Sequence, residues 1–302
     1  MTIKNRSRIC LIISAAIIAI ALLLTAIGSG INLGIDFAGG LSMQYRLTEK
    51  TPVDKALVEK VLDGMNVGSY TVTVQGANNN EVNIRIKDAT EEKQQDIKAG
   101  FEKGIEGSYP DVYKYSSSSN IAFVGPVAGQ TLVKNAILSV LIASALMLIY
   151  IAIRFDLNSG LAAVFGLIHD VLIMLSFMVI FRSVIQMNSS FIAAALTIVG
   201  YSINNTIVIF DRIRENAKKM PTVAREEVTN ISIRESLGRT ICTTVTTLIT
   251  IVALCILGVA SIREFALPII VGILSGVYSA NMINGYVWAF LEEKRRSRKA
   301  KA

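Results

Sequence analysis

Five uncharged stretches, 9–27, 135–153, 183–210, 240–262 and 265–291, run 19 to 28 residues each. A helix rises about 1.5 Å per residue, so roughly 20 apolar residues cross the roughly 30 Å hydrocarbon core of a bilayer. A sixth stretch, 157–181, is apolar except for His169 and Asp170 near its middle. The expected fold is therefore an α-helical polytopic membrane protein. It has six transmembrane helices and one large hydrophilic insert between the first and second. A hydrophobic share of 52% and a mean hydropathy of +0.51 agree, and exclude an ordinary soluble domain.

The net charge of +7 conceals an asymmetry. Residues 31–130 hold 10 Lys/Arg against 13 Asp/Glu, so the rest of the chain holds 20 against 10. Those bases gather at alternate span ends: Lys4, Arg6 and Arg8; Arg154; seven from Arg212 to Arg239; six from Lys294 to Lys301. Only Lys134, Arg182 and Arg263 fall at the opposite ends. The positive-inside rule puts both termini in the cytoplasm and the insert outside. The basic excess reads as topology and bilayer anchoring, with no nucleic-acid partner. The expected division is a first helix over 1–30, an extracytoplasmic domain over 31–132, a five-helix bundle over 133–292 and a basic tail over 293–302. The first span is long for a cleavable signal. Cys10, Cys242 and Cys255 all fall in spans without metal-ligand spacing and read as packing residues.

The insert carries its own pattern. Residues 41–47 alternate like a strand, and 52–65 have helical periodicity with Pro52 at the start. Two β-rich runs, 69–76 and 81–87, flank Ala77-Asn78-Asn79-Asn80, a hairpin signal. A charged helix is expected over 90–105 and an extended segment over 112–124. The order β-α-β-β-α-β is that of a small α+β ferredoxin-like domain. The serine patch at 116–119 is too short to matter. On the cytoplasmic side, Pro221 breaks the 212–239 loop, and 223–237 is expected to form a separate interfacial amphipathic helix.

No phosphate-binding loop, His-Glu-x-x-His or Gly-x-Ser-x-Gly motif is present, so the chain is not expected to be an enzyme, and no metal or cofactor site is visible. Gly34-Ile35-Asp36-Phe37-Ala38-Gly39-Gly40 follows the first span directly. Its glycines permit a tight corner and Asp36 supplies an acceptor there. This segment resembles the signature of the SecD/SecF family of the bacterial protein translocase. The resemblance continues in Val124-Gly125-Pro126-Val127, Arg154-Phe155 and His169-Asp170-Val171. It runs on through Gly200-Tyr201-Ser202-Ile203-Asn204, Phe210-Asp211-Arg212-Ile213-Arg214-Glu215-Asn216, Arg239-Thr240, and Phe265-Ala266-Leu267 to Tyr278-Ser279. It covers essentially the whole chain. The single insert and the Asp211–Asn216 run resemble the SecF branch of the family more than the SecD branch.

The resemblance implies membership of the resistance-nodulation-division superfamily and a bacterial cell membrane location. It further implies a complex with SecD beside SecYEG, acting after SecA on the translocating polypeptide with energy from an ion gradient. The competing class is a small-molecule or lipid exporter of the same superfamily. In the family pattern the position of Asn205 is typically an Asp that carries protons, helped by an Arg in the fifth span that Arg239 matches. An amide cannot take up a proton in that way, though its carbonyl oxygen can face a cation. Three readings stay open. SecD supplies the titrating carboxylate beside Asn205 and Arg239; Na⁺ replaces H⁺ with Asn205 as a ligand; or coupling is weak. Asn204, Asn205, Arg239, Asp170 and His169 are the ion-path candidates. An intramembrane His-Asp pair is either a satisfied interhelical contact or part of that path. Thr240, Thr243, Thr244, Thr247 and Thr250 line one side of the fifth span. Gly272, Gly276 and Ala280 give the sixth a small-residue face.

Overall fold

A computed structural model describes residues 3–48, 52–75, 78–87, 89–112, 120–182, 185–258 and 260–301. Helix α1 (Ile3–Ala26) leads through a one-turn helix α2 (Ile35–Ala38) into the hydrophilic insert. There β1 (Gly40–Arg46), α3 (Lys55–Met65), β2 (Tyr70–Gln75), β3 (Glu81–Ile86), α4 (Gln94–Glu106) and β4 (Asn120–Val124) follow in turn. The sheet order is β2-β3-β1-β4, with every neighbouring pair antiparallel. Alternation in β3 buries Val82, Ile84 and Ile86, and β1 buries Leu41, Met43 and Tyr45. Val58 and Leu62 of α3 and Ile97, Phe101 and Ile105 of α4 complete that core. Tyr45 is fully buried and its hydroxyl donates to Glu102 Oε1 at 3.0 Å. The α3 N-terminus is closed by Asp54, whose side chain accepts from Ala56 N at 3.0 Å. The expected serine patch at 116–119, Ala77 of the hairpin turn and part of the closing segment lie outside the described residues.

Among the described residues, six helices are long and apolar enough to cross a membrane. They are α1, α5 (Pro126–Arg154), α6 (Leu157–Ile180), α7 (Ser189–Lys219), α8 (Arg225–Leu257) and a composite sixth. The composite joins α9 (Ala260–Ser279), a π-helical segment Ala280–Asn284 and α10 (Gly285–Lys301). Helices α6, α7 and α9 form the centre, with the small face of α9 laid on α7. A Cβ on Gly272 would come 2.4 Å from Ile198 Cγ1, and one on Gly276 would come 3.1 Å from Ser202 Cβ. The small-residue face is therefore used within the bundle. Helices α1, α5 and α8 lie outside and expose apolar side chains such as Ile12, Leu141 and Ile249.

Three expectations change. The separate interfacial helix over 223–237 is instead the first part of α8, which runs unbroken for 33 residues. Val228, Ser232, Ser236, Thr240 and Thr244 recur every four residues and are all buried, so one packed stripe crosses the expected boundary. The fourth span starts at Ser189 rather than at 183, because Met187 pairs with Leu33 as a parallel β-bridge. Cys242 is exposed rather than packed.

Candidate functional site

The glycine-rich corner after α1 joins three elements. Gly34 N donates to Met187 O at 2.8 Å, and Met187 N donates to Asn32 O at 2.8 Å. Asp36 Oδ2 accepts from Ser189 N at 2.8 Å and Ser189 Oγ at 2.6 Å, so it satisfies one of the free amides at the start of α7. Gly39 and Gly40 have φ of 81° and 130°, and a Cβ on Gly40 would come 2.2 Å from Ile86 O. Only glycine fits there. The corner fixes the start of β1 against β3 and the start of the fourth span at once.

A second tie connects the insert to the sixth span. Arg85 of β3 makes a forked ion pair with Glu264 of α9, at 2.7 and 3.1 Å, and also donates to Gln186 Oε1 at 2.9 Å. Gln186 donates onward to Thr71 Oγ1 of β2, and Asn188 donates to Glu264. The ionic side chains are 14% and 16% exposed, so solvent screens this pair less than a surface pair.

Deep in the bundle, Asp170 is fully buried and makes four hydrogen bonds, three of them accepted from serine hydroxyls. Its Oδ1 lies 2.9 Å from His169 Nδ1 and accepts from Ser275 Oγ at 2.7 Å. Its Oδ2 receives Ser202 Oγ at 2.5 Å and Ser279 Oγ at 2.9 Å. His169 Nε2 reaches Ser14 Oγ of α1 at 2.8 Å, and Tyr278 stacks on the imidazole with centroids 6.1 Å apart. Neighbouring helix positions point about 100° apart, yet His169 and Asp170 bond directly. Asp170 thus ties α6, α7 and α9 together, with two partners on each oxygen, and His169 extends the tie to α1.

Asn205 is 2% exposed and its Nδ2 has no partner among the described residues. Asn204 and Arg239 are exposed, so the structure does not gather the three around one interior point. Thr244 Oγ1 and Asn281 Oδ1 are likewise buried and unpartnered among the described residues, whereas Thr206 Oγ1 accepts from Asn284 Nδ2 at 2.9 Å. Thr243, Thr246, Thr247 and Thr250 return their hydroxyls to carbonyls of their own helix, and Tyr201 OH donates to Thr243 O at 3.0 Å.

The Asp211–Asn216 run clamps the ends of α7 and α8. Arg212 bridges Glu235 and Glu215, each at 2.6 Å. Asn216 donates to Ser232 Oγ at 3.0 Å and Glu235 Oε2 at 2.7 Å, and Arg214 donates to Arg154 O at 3.3 Å. Asp211 is exposed and outside this network among the described residues. Sequence reasoning missed Ser14, Ser275 and Ser279, together with Arg85 and Glu264. The i, i+4 spacing of Ser275 and Ser279 was the available signal for the first group. For Arg85 and Glu264, 179 residues apart, no local signal exists.

Residues 27–50 match the SecD/SecF GG motif, and residues 106–294 match the family described as protein export membrane protein SecD/SecF, C-terminal. Protein translocase subunit SecF of Rickettsia bellii is 35% identical over 264 residues, covering 87% of this chain and 84% of that protein. Protein translocase subunit SecDF of Bacillus subtilis is 34% identical over 85% of this chain, but only 34% of its own length is matched. The crystal structure of SecDF from Thermus thermophilus, a translocon-associated membrane protein, superimposes with a TM-score of 0.77 at 29% identity. It covers 97% of this chain, which spans 39% of the SecDF chain. This chain belongs to the SecD/SecF family of protein export membrane proteins.

Proposed function

We propose that the chain works as the SecF-type accessory subunit of the protein translocation machinery in the bacterial cell membrane, with both termini cytoplasmic and the insert outside. The observation that carries this is the double tie between insert and bundle. Asp36 caps α7, and Arg85 holds α9 through Glu264. Helices α7 and α9 are also the two that clasp Asp170 through Ser202, Ser275 and Ser279. A rearrangement at that polar knot is thus transmitted to a ferredoxin-like domain on the side where secreted chains emerge. Ion occupancy drives such a device only by stabilising one arrangement over the other. No enzymatic step, cofactor or structural metal takes part.

The exposed Arg239 and Asn204 suit a protein surface better than lipid tails, which favours a SecD-like half packed over the α7–α8 side. In that assembly the partner's carboxylate titrates, while Asn205 serves as a hydrogen-bonding neighbour. A Na⁺ with Asn205 as a ligand is the second reading. The buried oxygens Thr244 Oγ1 and Asn281 Oδ1, unpartnered among the described residues, favour a cation in this part of the bundle. The unpartnered atom of Asn205 is its donor Nδ2, so the amide would have to turn its oxygen inward. SecYEG and SecA then act upstream of the same polypeptide. An exporter of small molecules within the superfamily has no observation here in its favour over protein export. A photo-crosslinker at Arg239 is expected to capture SecD in native membranes. Depleting the chain should slow completion of secretion. Capture of lipid alone, with undisturbed secretion, would contradict the proposal.

A further inference from the structure

At the end of the bundle that carries both termini, the tail of α7, the start of α6, the first residue of α8 and α10 enclose a cavity of about 360 Å³. Its wall holds four cationic side chains, Arg214, Lys218, Arg225 and Arg295, against two carboxylates, Asp156 and Glu292. Both carboxylates are already engaged. Asp156 accepts from Ser159 Oγ. Glu292 accepts from Asn158 Nδ2 at 2.7 Å and pairs with Arg295 at 3.5 Å and Arg296 at 3.9 Å.

Two donors on this wall have no acceptor among the described residues. Arg225 is only 8% exposed, its Nε is unpartnered, and its guanidinium makes one long bond, from Nη1 to Ala217 O at 3.4 Å. Trp288 is 6% exposed, and its Nε1–H is also unpartnered. A buried guanidinium with no carboxylate partner among the described residues, beside an unused indole N–H, is costly unless an acceptor arrives. A tetrahedral oxyanion supplies several acceptors at once and the negative charge the cluster lacks. Phe155, Phe210 and Ile213 give the same cavity an apolar side for whatever carries the anion.

We propose that this cavity binds a phosphate group, borne either by a soluble phosphate or by the headgroup of an anionic phospholipid. The site is separate from the Asp170 knot and from the insert, and it stands whether or not the export reading holds. Occupancy would brace α6, α7, α8 and α10 where their ends meet.

Trp288 is the chain's single tryptophan, so its fluorescence reports on this cavity alone. The purified full chain in neutral detergent is titrated with inorganic phosphate, with chloride at matched ionic strength as control. In a second arm it is placed in phosphatidylcholine nanodiscs containing increasing phosphatidylglycerol. A saturable emission change with phosphate identifies a soluble ligand; one with phosphatidylglycerol alone identifies the lipid. Arg225→Gln is expected to weaken the response about tenfold or more, through loss of charge-assisted bonds. Lys218→Gln, an exposed position that leaves the fold intact, should weaken it about threefold without lowering the melting temperature. Absence of a saturable change in both arms would overturn the proposal. So would a folded Arg225→Gln protein, or a Lys218→Gln protein, responding like the parent.

Discussion

At residue scale, the sharpest demand on identity falls at Gly40. Its backbone lies in the left-handed region, and a methyl group there would meet Ile86 O at 2.2 Å. Gly40→Ala is expected to cost about 2–4 kcal/mol, combining strain with lost β1–β3 pairing. Gly34→Ala, whose Cβ would sit 3.2 Å from Met187 O, should cost less, and hydrogen exchange of the β1 amides would rank the two. Asp170→Asn keeps the shape but places an amide donor among hydroxyls that now donate. We expect a loss of about 1–3 kcal/mol, read as a lowered melting temperature in detergent. Ser275→Ala with Ser279→Ala should reproduce part of that loss. An Asp170→Asn protein as stable as the parent would show that the four bonds do not hold the bundle.

At the scale of elements, the spans and the succession of strands and helices along the insert were legible because each follows from a local rule. Those rules are length for a membrane helix, alternation for β1 and β3, and a glycine-rich run for the corner. The long α8 was not legible. A change from charged to apolar composition near Thr240 resembles a boundary, yet the packed stripe from Val228 to Thr244 carries one helix straight across it. The candidate site was half legible. Asp170 and His169 stand out as polar residues in an apolar run, whereas their serine partners look like any small residues of a packed span. Arg85 and Glu264 could not be matched from sequence, because only the docking of insert on bundle brings them together. That pair makes its own prediction. Arg85→Ala and Glu264→Ala should each loosen the insert, measured as a broadened distance between spin labels on α3 and α5. A double-mutant cycle should give a coupling of about 1–3 kcal/mol, larger than for an exposed pair.

At the scale of the molecule, the two ties and the Asp170 knot share α7 and α9, so the insert and the bundle interior are expected to move as one. The outer faces of α5 and α8, by contrast, are apolar apart from a few polar side chains such as Arg239, and they await lipid or a partner subunit. The measurement that bears most directly on the account is precursor translocation into inverted membrane vesicles carrying this chain with its SecD. An H⁺ or a Na⁺ gradient is imposed after SecA has acted, and vesicles lacking this chain serve as the reference. The account predicts gradient-dependent stimulation that requires the chain and is lost when Arg85→Ala uncouples the insert. Stimulation by H⁺ would assign titration to the partner, and stimulation by Na⁺ would assign the ion to Asn205. Equal translocation with and without the chain would contradict the account.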